Sequence, residues 1–224
     1  MSIKGADIRN IAVIGHSGEG KTSVCEAILF NGKATDRLGK VTEGTTVTDS
    51  DEQEIARKMS ISLGVAYAMW EGVKLNLLDV PGFYDFEGEE NEALRAAGGA
   101  LIVTGATGTL SVGAEKAIDK CLKNKIPMVV FINGVDKENA DYAGTVAALK
   151  QKYAGKIAPI QIPLMEGNKM VGYVNALKET CYHFADEAKK QPVPIPEELK
   201  GTLAEMQASL TETAAENDEA LLDK

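Results

Sequence analysis

The run Gly15-His16-Ser17-Gly18-Glu19-Gly20-Lys21-Thr22 constrains this chain more than any other feature. It matches G-x-x-x-x-G-K-[ST] at every fixed position and lies between two segments of different character. Before it, Asn10-Ile11-Ala12-Val13-Ile14 is a short apolar run of the kind buried strands have. After it, Lys21 to Phe30 places Val24, Ala27 and Ile28, with Cys25 near them, on one side of a helix. Between a strand and a helix, such a loop can turn its backbone N–H groups into one concavity and bind phosphate oxygens there. Gly15, His16, Ser17, Gly18, Glu19, Gly20, Lys21, Thr22 and Ser23 are therefore the candidate nucleotide contacts. Lys21 is expected at the β and γ phosphates and the Thr22 hydroxyl on Mg2+, with the helix dipole behind them.

Two later motifs fit the same chemistry. Asp79-Val80-Pro81-Gly82 directly follows the run Leu75-Asn76-Leu77-Leu78. An aspartate at a strand end can hold Mg2+ through water. The Gly82 N–H can meet a γ-phosphate, and the loop beyond it can rearrange when that phosphate is lost. Taken alone, D-x-x-G marks a turn; after a hydrophobic strand in a phosphate-loop chain it reads as a metal and switch element. Asn133-Gly134-Val135-Asp136 closes the run Met128 to Ile132. An aspartate there accepts the paired N1 and N2 donors of guanine. Adenine lacks that pair and would leave the carboxylate unsatisfied, which favours guanine.

The rest of the chain supplies the frame. Strands are expected at Ile61 to Trp70 and Lys74 to Asp79, joined at Glu71-Gly72, and again at Ala100 to Thr104 and Pro127 to Asn133. Helices are expected near Glu89 to Ala97, Val112 to Lys123 and Asn139 to Tyr153. This alternation predicts an α/β P-loop NTPase fold, a mostly parallel sheet with helices on both faces. From Pro159 the texture changes to short strands, Pro159 to Pro163, Lys169 to Val174 and Thr180 to Phe184, around the turn Glu166-Gly167-Asn168. Alternate prolines from Pro192 to Pro196 read as an extended linker. Glu197 to Leu222 follows as a helix with Leu199, Leu203, Met206, Leu210, Ala214 and Leu221 at helical spacing. The expected division is 1–158, a GTP-binding domain, and 159–224, a small α+β insertion.

Charge and composition narrow the partners. The net charge of −9 argues against unspecific grip on duplex DNA or anionic lipid. Six of those nine charges fall from Glu197 onward, where the acidic run reads as the solvated face of the last helix. Cys25, Cys121 and Cys181 form no C-x-x-C pair and read as reduced structural thiols. With no run long enough to span a bilayer and no apolar leader after Met1, the expected compartment is the cytoplasm.

The motifs together resemble the nucleotide-binding domain of translational GTPases of the elongation factor G family, and the divergent paralogues more than the main translocase. Gly15 to Thr22, Thr45 to Asp49, Glu54 to Ile61, Asp79 to Phe86 and Asn133 to Lys137 carry the resemblance, and Pro159 onward resembles the insertion found in that domain. The resemblance implies GTP hydrolysis to GDP with Mg2+, coupled to switch movement on the ribosome. Lys21, Thr22, Asp79, Gly82, Asn133 and Asp136 match its pattern, with Lys21 and Gly82 in catalytic roles. Ser60 stands where the family has a Mg2+-ligating threonine and keeps the hydroxyl, so Thr22, Ser60 and Asp79 form the implied metal set.

The departures also matter. Gly18 replaces a common aspartate. Phe83 stands where the family has the histidine that positions the attacking water, and Gly134 removes a lysine stem that packs on guanine and ribose. Loss of that packing would weaken binding by about 1–3 kcal/mol on area grounds. His16 cannot be assigned the lost role by position, and His183 reads as a strand residue. The family's fifth nucleotide element does not appear before Lys224, which reads as a fragment of a longer factor. An intrinsically slow GTPase is the leading reading; a non-hydrolysing guanine-nucleotide switch and a nucleotide-free structural module are the alternatives.

Overall fold

Strand β1 (Ile8–Ile14) runs through the middle of a five-stranded sheet in a computed structural model that describes residues 3–185 and 192–217. It is followed by α1 (Lys21–Asn31), α2 (Glu52–Arg57), β2 (Gly64–Trp70), β3 (Val73–Asp79), α3 (Glu87–Ala96), β4 (Gly99–Gly105), α4 (Val112–Lys123) and β5 (Met128–Asn133). The order across the sheet is β2-β3-β1-β4-β5, with β1, β3, β4 and β5 parallel and β2 antiparallel on the edge. Residues 71 and 72 make the β2–β3 turn with φ of 48° at Glu71 and 85° at Gly72, the left-handed pair a two-residue hairpin needs.

Both faces of this sheet are covered. Val13 packs with Val24, Cys25 and Leu29 of α1, Ala66 and Ala68 of β2, Leu77 of β3 and Val103 of β4. Their neighbours Ala12, Ile14 and Ile102 point to the other face and are equally buried. There α3 meets β1 and α4 meets β4. The expected P-loop arrangement is what forms.

By contacts the chain groups into two compact units, residues 1–105 with 110–133, and residues 106–109 with 134–224. The second contains α5 (Tyr142–Lys152) and an antiparallel sheet of β6 (Gln161–Glu166), β7 (Lys169–Asn175) and β8 (Thr180–His183). Helix α6 (Glu197–Asn217) lays Leu203 and Met206 against Ile162, Leu164, Val174 and Cys181, with Leu199 and Leu210 at the margin. Its acidic residues Glu197, Glu198, Glu205, Glu212 and Glu216 are exposed, and so is Ala214. Leu221 and Leu222 lie outside the described residues. The proline segment is extended as expected but is no free linker. Val193 donates its N–H to the Cys181 carbonyl at 2.8 Å, and its side chain and that of Ile195 join the core.

Differences from the sequence reading have local causes. Strand β2 starts at Gly64 rather than Ile61, because the Ile61 and Ser62 N–H groups bond to Glu54 at 2.9 and 3.1 Å. Helix α5 starts at Tyr142 rather than Asn139, where Asp141 caps the Gly144 N–H at 2.8 Å. Helix α2 is an element for which the sequence carries too few residues of apolar periodicity to predict a helix. Asp51 and Glu54 form a reciprocal capping box around its start, a pattern visible in the sequence in retrospect.

Candidate nucleotide-binding site

Parallel pairing fixes the site's geometry. Val13 of β1 lies opposite Asp79 of β3, and the Val80 N–H donates to the Val13 carbonyl at 3.1 Å. The first residues past β1 therefore stand beside the end of β3. Gly15 leaves β1 with a φ of 141°, and a Cβ there would collide with the Val103 carbonyl, so the loop turns only with glycine. Gly20, in the left-handed region, caps α1 and accepts the Val24 N–H at 2.9 Å. Lys21 follows, 6% exposed, with its Nζ donating to the His16 carbonyl at 2.9 Å across the loop.

Asp79 is 1% exposed. Its Oδ2 accepts from the Thr48 hydroxyl at 2.7 Å, while Oδ1 is buried without a hydrogen-bond partner. Ser60 Oγ donates to Asp49 at 2.7 Å and lies 3.3 Å from Thr22 Oγ1. Burial pushes the Asp79 carboxyl up to about 6, against the opposing pull of the Thr48 and Thr22 hydroxyls. Burial also raises Asp49 and lowers Lys21. An orphaned carboxylate oxygen among hydroxyls and a second buried carboxylate is a donor set suited to a hard cation such as Mg2+.

Gly82 approaches the loop closely. A Cβ there would meet the Lys21 ammonium and come within 2.6 Å of the Ser17 nitrogen, so no other residue fits. Phe83 beside it is 41% exposed. His16 is turned toward Tyr84, 6.1 Å between ring centroids, and Gly113 of α4 packs on it. Glu19 accepts the His16 N–H at 3.0 Å and the Gly105 N–H at 3.3 Å, bracing the loop against the end of β4. Gly18 and Ser23 are exposed.

Asn133 donates from Nδ2 to the Glu19 carbonyl at 2.8 Å, tying the end of β5 to the phosphate loop. Asp136 belongs to the second unit, exposed in the turn from Gly134 to Lys137. Gly134 has a φ of 70°, and the Lys137 stem lies over the position its Cβ would take, 2.9 Å from Cε. His183 lies in β8, as expected. The structure thus brings Gly15 to Thr22, Ser60, Asp79, Gly82 and Asn133 together within the first unit. It adds Thr48 and Asp49, for which sequence reading had assigned no role.

A phosphate loop between β1 and α1, with an aspartate ending the adjacent parallel strand, defines the P-loop NTPase fold. The family model described as elongation factor Tu GTP binding domain matches residues 6–219. An elongation factor G-like protein of Mycobacterium tuberculosis is 34% identical over 97% of this chain and 30% of its own length. Elongation factor G of Mycoplasma pneumoniae is 31% identical over 96% of the chain and 32% of its own. A solved structure from Thermus thermophilus superposes with a TM-score of 0.88 at 34% identity, covering 98% of this chain and 33% of that one. This chain belongs to the family of elongation factor Tu GTP-binding domains. It spans about a third of the length of the curated relatives it matches.

Proposed function

We propose that the chain binds GTP and GDP with Mg2+ and hydrolyses GTP slowly on its own, as the nucleotide domain of an elongation factor G-like factor. The observation that carries this reading is Asp79, a buried carboxylate with one oxygen unpartnered, beside Thr22, Thr48 and Ser60 at the mouth of a phosphate loop. Thr22, Ser60 and Asp79 would hold the metal, with Asp49 beside them. Bound Mg2+ would supply compensation for the charge on the β- and γ-phosphate oxygens.

The chain's own groups do the rest. Backbone N–H groups from Gly15 to Ser23 and the Lys21 ammonium hold the phosphates, and the Gly82 N–H meets the γ-phosphate. Water attacks the γ-phosphorus as the bond to the β–γ bridging oxygen breaks; GDP leaves with that electron pair, and the water's proton passes to phosphate. Catalysis is then mainly electrostatic. Asn133 ties the base end to the loop, and Asp136 reads guanine. All these residues fall within 1–158, and 159–224 is read as an insertion. The site of action is read as the ribosome in the cytoplasm. Among the described residues no helix is long and apolar enough to cross a membrane.

Calorimetry with GTP, GDP and ATP in Mg2+ tests the reading. Binding of both guanine nucleotides and not ATP is expected; no binding of either overturns it, and equal ATP affinity removes Asp136 as the reader. Exposed Phe83, which has no donor or acceptor, favours a second reading, a guanine-nucleotide switch without hydrolysis. Single-turnover hydrolysis with and without ribosomes separates the two.

A further inference from the structure

We propose that Glu26 is a positioning residue. It ties the loop between α1 and β2 to the helix that carries Lys21 and Thr22, and so holds Thr48 and Asp49 against the metal-binding aspartate. The inference rests on the nucleotide reading of that site. Glu26 is 1% exposed, and its Oε2 accepts the Gly39 N–H at 3.1 Å while Oε1 accepts the Val47 N–H at 2.6 Å. A buried carboxylate costs free energy unless its hydrogen bonds are made, so what it holds is the reason to look at it. Here it holds two points of one loop.

The approach is close at both points. At Gly39 a Cβ would lie 2.8 Å from the Glu26 Cδ and 2.7 Å from the Thr45 carbonyl, so glycine alone lets the backbone reach the carboxylate. Val47 is 46% exposed, and its own side chain does little to fix the chain there; its N–H does. The next two residues are Thr48 and Asp49, 7% and 4% exposed, bonded to Asp79 and Ser60. On the far side of Asp49, the buried Glu54 takes the N–H groups of Asp51, Ile61 and Ser62. Glu54 sits within the loop it closes, whereas Glu26 sits on α1. The link from Glu26 through Val47 to Thr48 therefore connects the phosphate-loop helix to the second half of the metal site. It implies that ordering this loop and binding Mg2+ with nucleotide are coupled events.

The test uses the 224-residue chain, with Glu26→Gln and Glu26→Ala. A glutamine offers one acceptor where two N–H groups need one each. Amide exchange of the nucleotide-free protein should speed up at Gly39 and Val47 by about tenfold or more in both variants, with Glu26→Gln melting closer to the parent than Glu26→Ala. GDP affinity in EDTA should be unchanged, while the gain in GTP affinity on adding Mg2+ should shrink by about tenfold. Unchanged exchange at both amides in both variants overturns the tether. Faster exchange with the Mg2+ gain intact overturns the positioning role, and so does an equal loss with and without Mg2+. A parent chain that binds neither nucleotide overturns the proposed function and the metal consequence together. The exchange data then still decide whether the tether exists.

Discussion

Asp79 concentrates the site's electrostatics in one side chain. Burial raises its carboxyl to about 6 in the folded chain, above the ordinary carboxylate value it takes when unfolded. Between those two values the folded state holds the proton more tightly, so Asp79 makes stability fall as pH rises through that window. Without metal the cost should reach on the order of 2–3 kcal/mol above the window and vanish below it. Urea unfolding in EDTA at about pH 4.5 and about pH 7 checks this: Asp79→Asn should remove that part of the slope. An identical pH profile in the variant would count against it. Next along the chain, Phe83 is exposed and can be exchanged without disturbing the core. Phe83→His should raise single-turnover GTP hydrolysis by about tenfold to a hundredfold if a general base or water-orienting group is what the site lacks. An unchanged rate would place the attacking water elsewhere. These residues were legible because motifs mark them. The roles of Thr48, Asp49 and Glu26 were not, because they depend on partners elsewhere along the chain, the Asp79 carboxylate, the Ser60 hydroxyl and the Gly39 and Val47 N–H groups, which no local spacing encodes.

At the scale of elements, apolar pattern and turn chemistry decided most of the fold. Strands β1, β3, β4 and β5, the Glu71-Gly72 hairpin and helix α4 are readable from runs, periodicity and turn residues, and the parallel order follows from alternation. What escaped was set by side-chain carboxylates that take backbone N–H groups, the exposed Asp141 at the start of α5 and the buried Glu54 before β2. Glu54 draws Ile61 and Ser62 out of strand pairing, and the same residue completes the cap of the short helix α2, which has only six residues and too little periodicity to be seen. In the second unit the period of α6 was legible, and its consequence can be measured. Leu203 is 7% exposed among Ile162, Leu164 and Val174. Leu203→Ala should lower the stability of the β6–β8 sheet by about 2–4 kcal/mol, read as faster amide exchange along β7. Ala214 on the same helix is exposed, and Ala214→Ser should leave that exchange within experimental error. Equal effects of the two substitutions would mean that the buried face of α6 is not the one described.

For the whole molecule, the cysteines give a readout that joins packing to ligand binding. Cys25 lies in the α1 core, Cys121 on the buried face of α4 and Cys181 in the core under α6; all three are free and buried. Burial pushes the Cys121 thiol up to about 11 and raises Cys25 and Cys181 as well, so neither access nor thiolate is available in the folded state. A disulfide reagent at neutral pH should therefore label none of them until the surrounding structure opens, and all three in guanidinium. Reaction of any thiol within the mixing time would contradict the packing. The rate of the slow labelling then carries information about function. A ligand that binds only the folded state lowers the open population by the factor 1 + [L]/Kd, about a hundredfold at a hundred times Kd. Cys25 belongs to the helix that begins with Lys21 and Thr22, so its labelling should slow by about that factor when GDP and Mg2+ are added, and ATP should have no such effect. Protection of Cys25 by GDP but not by ATP would tie guanine recognition to the stability of the phosphate-loop helix. Equal protection by both would show that the loop grips phosphates without reading the base.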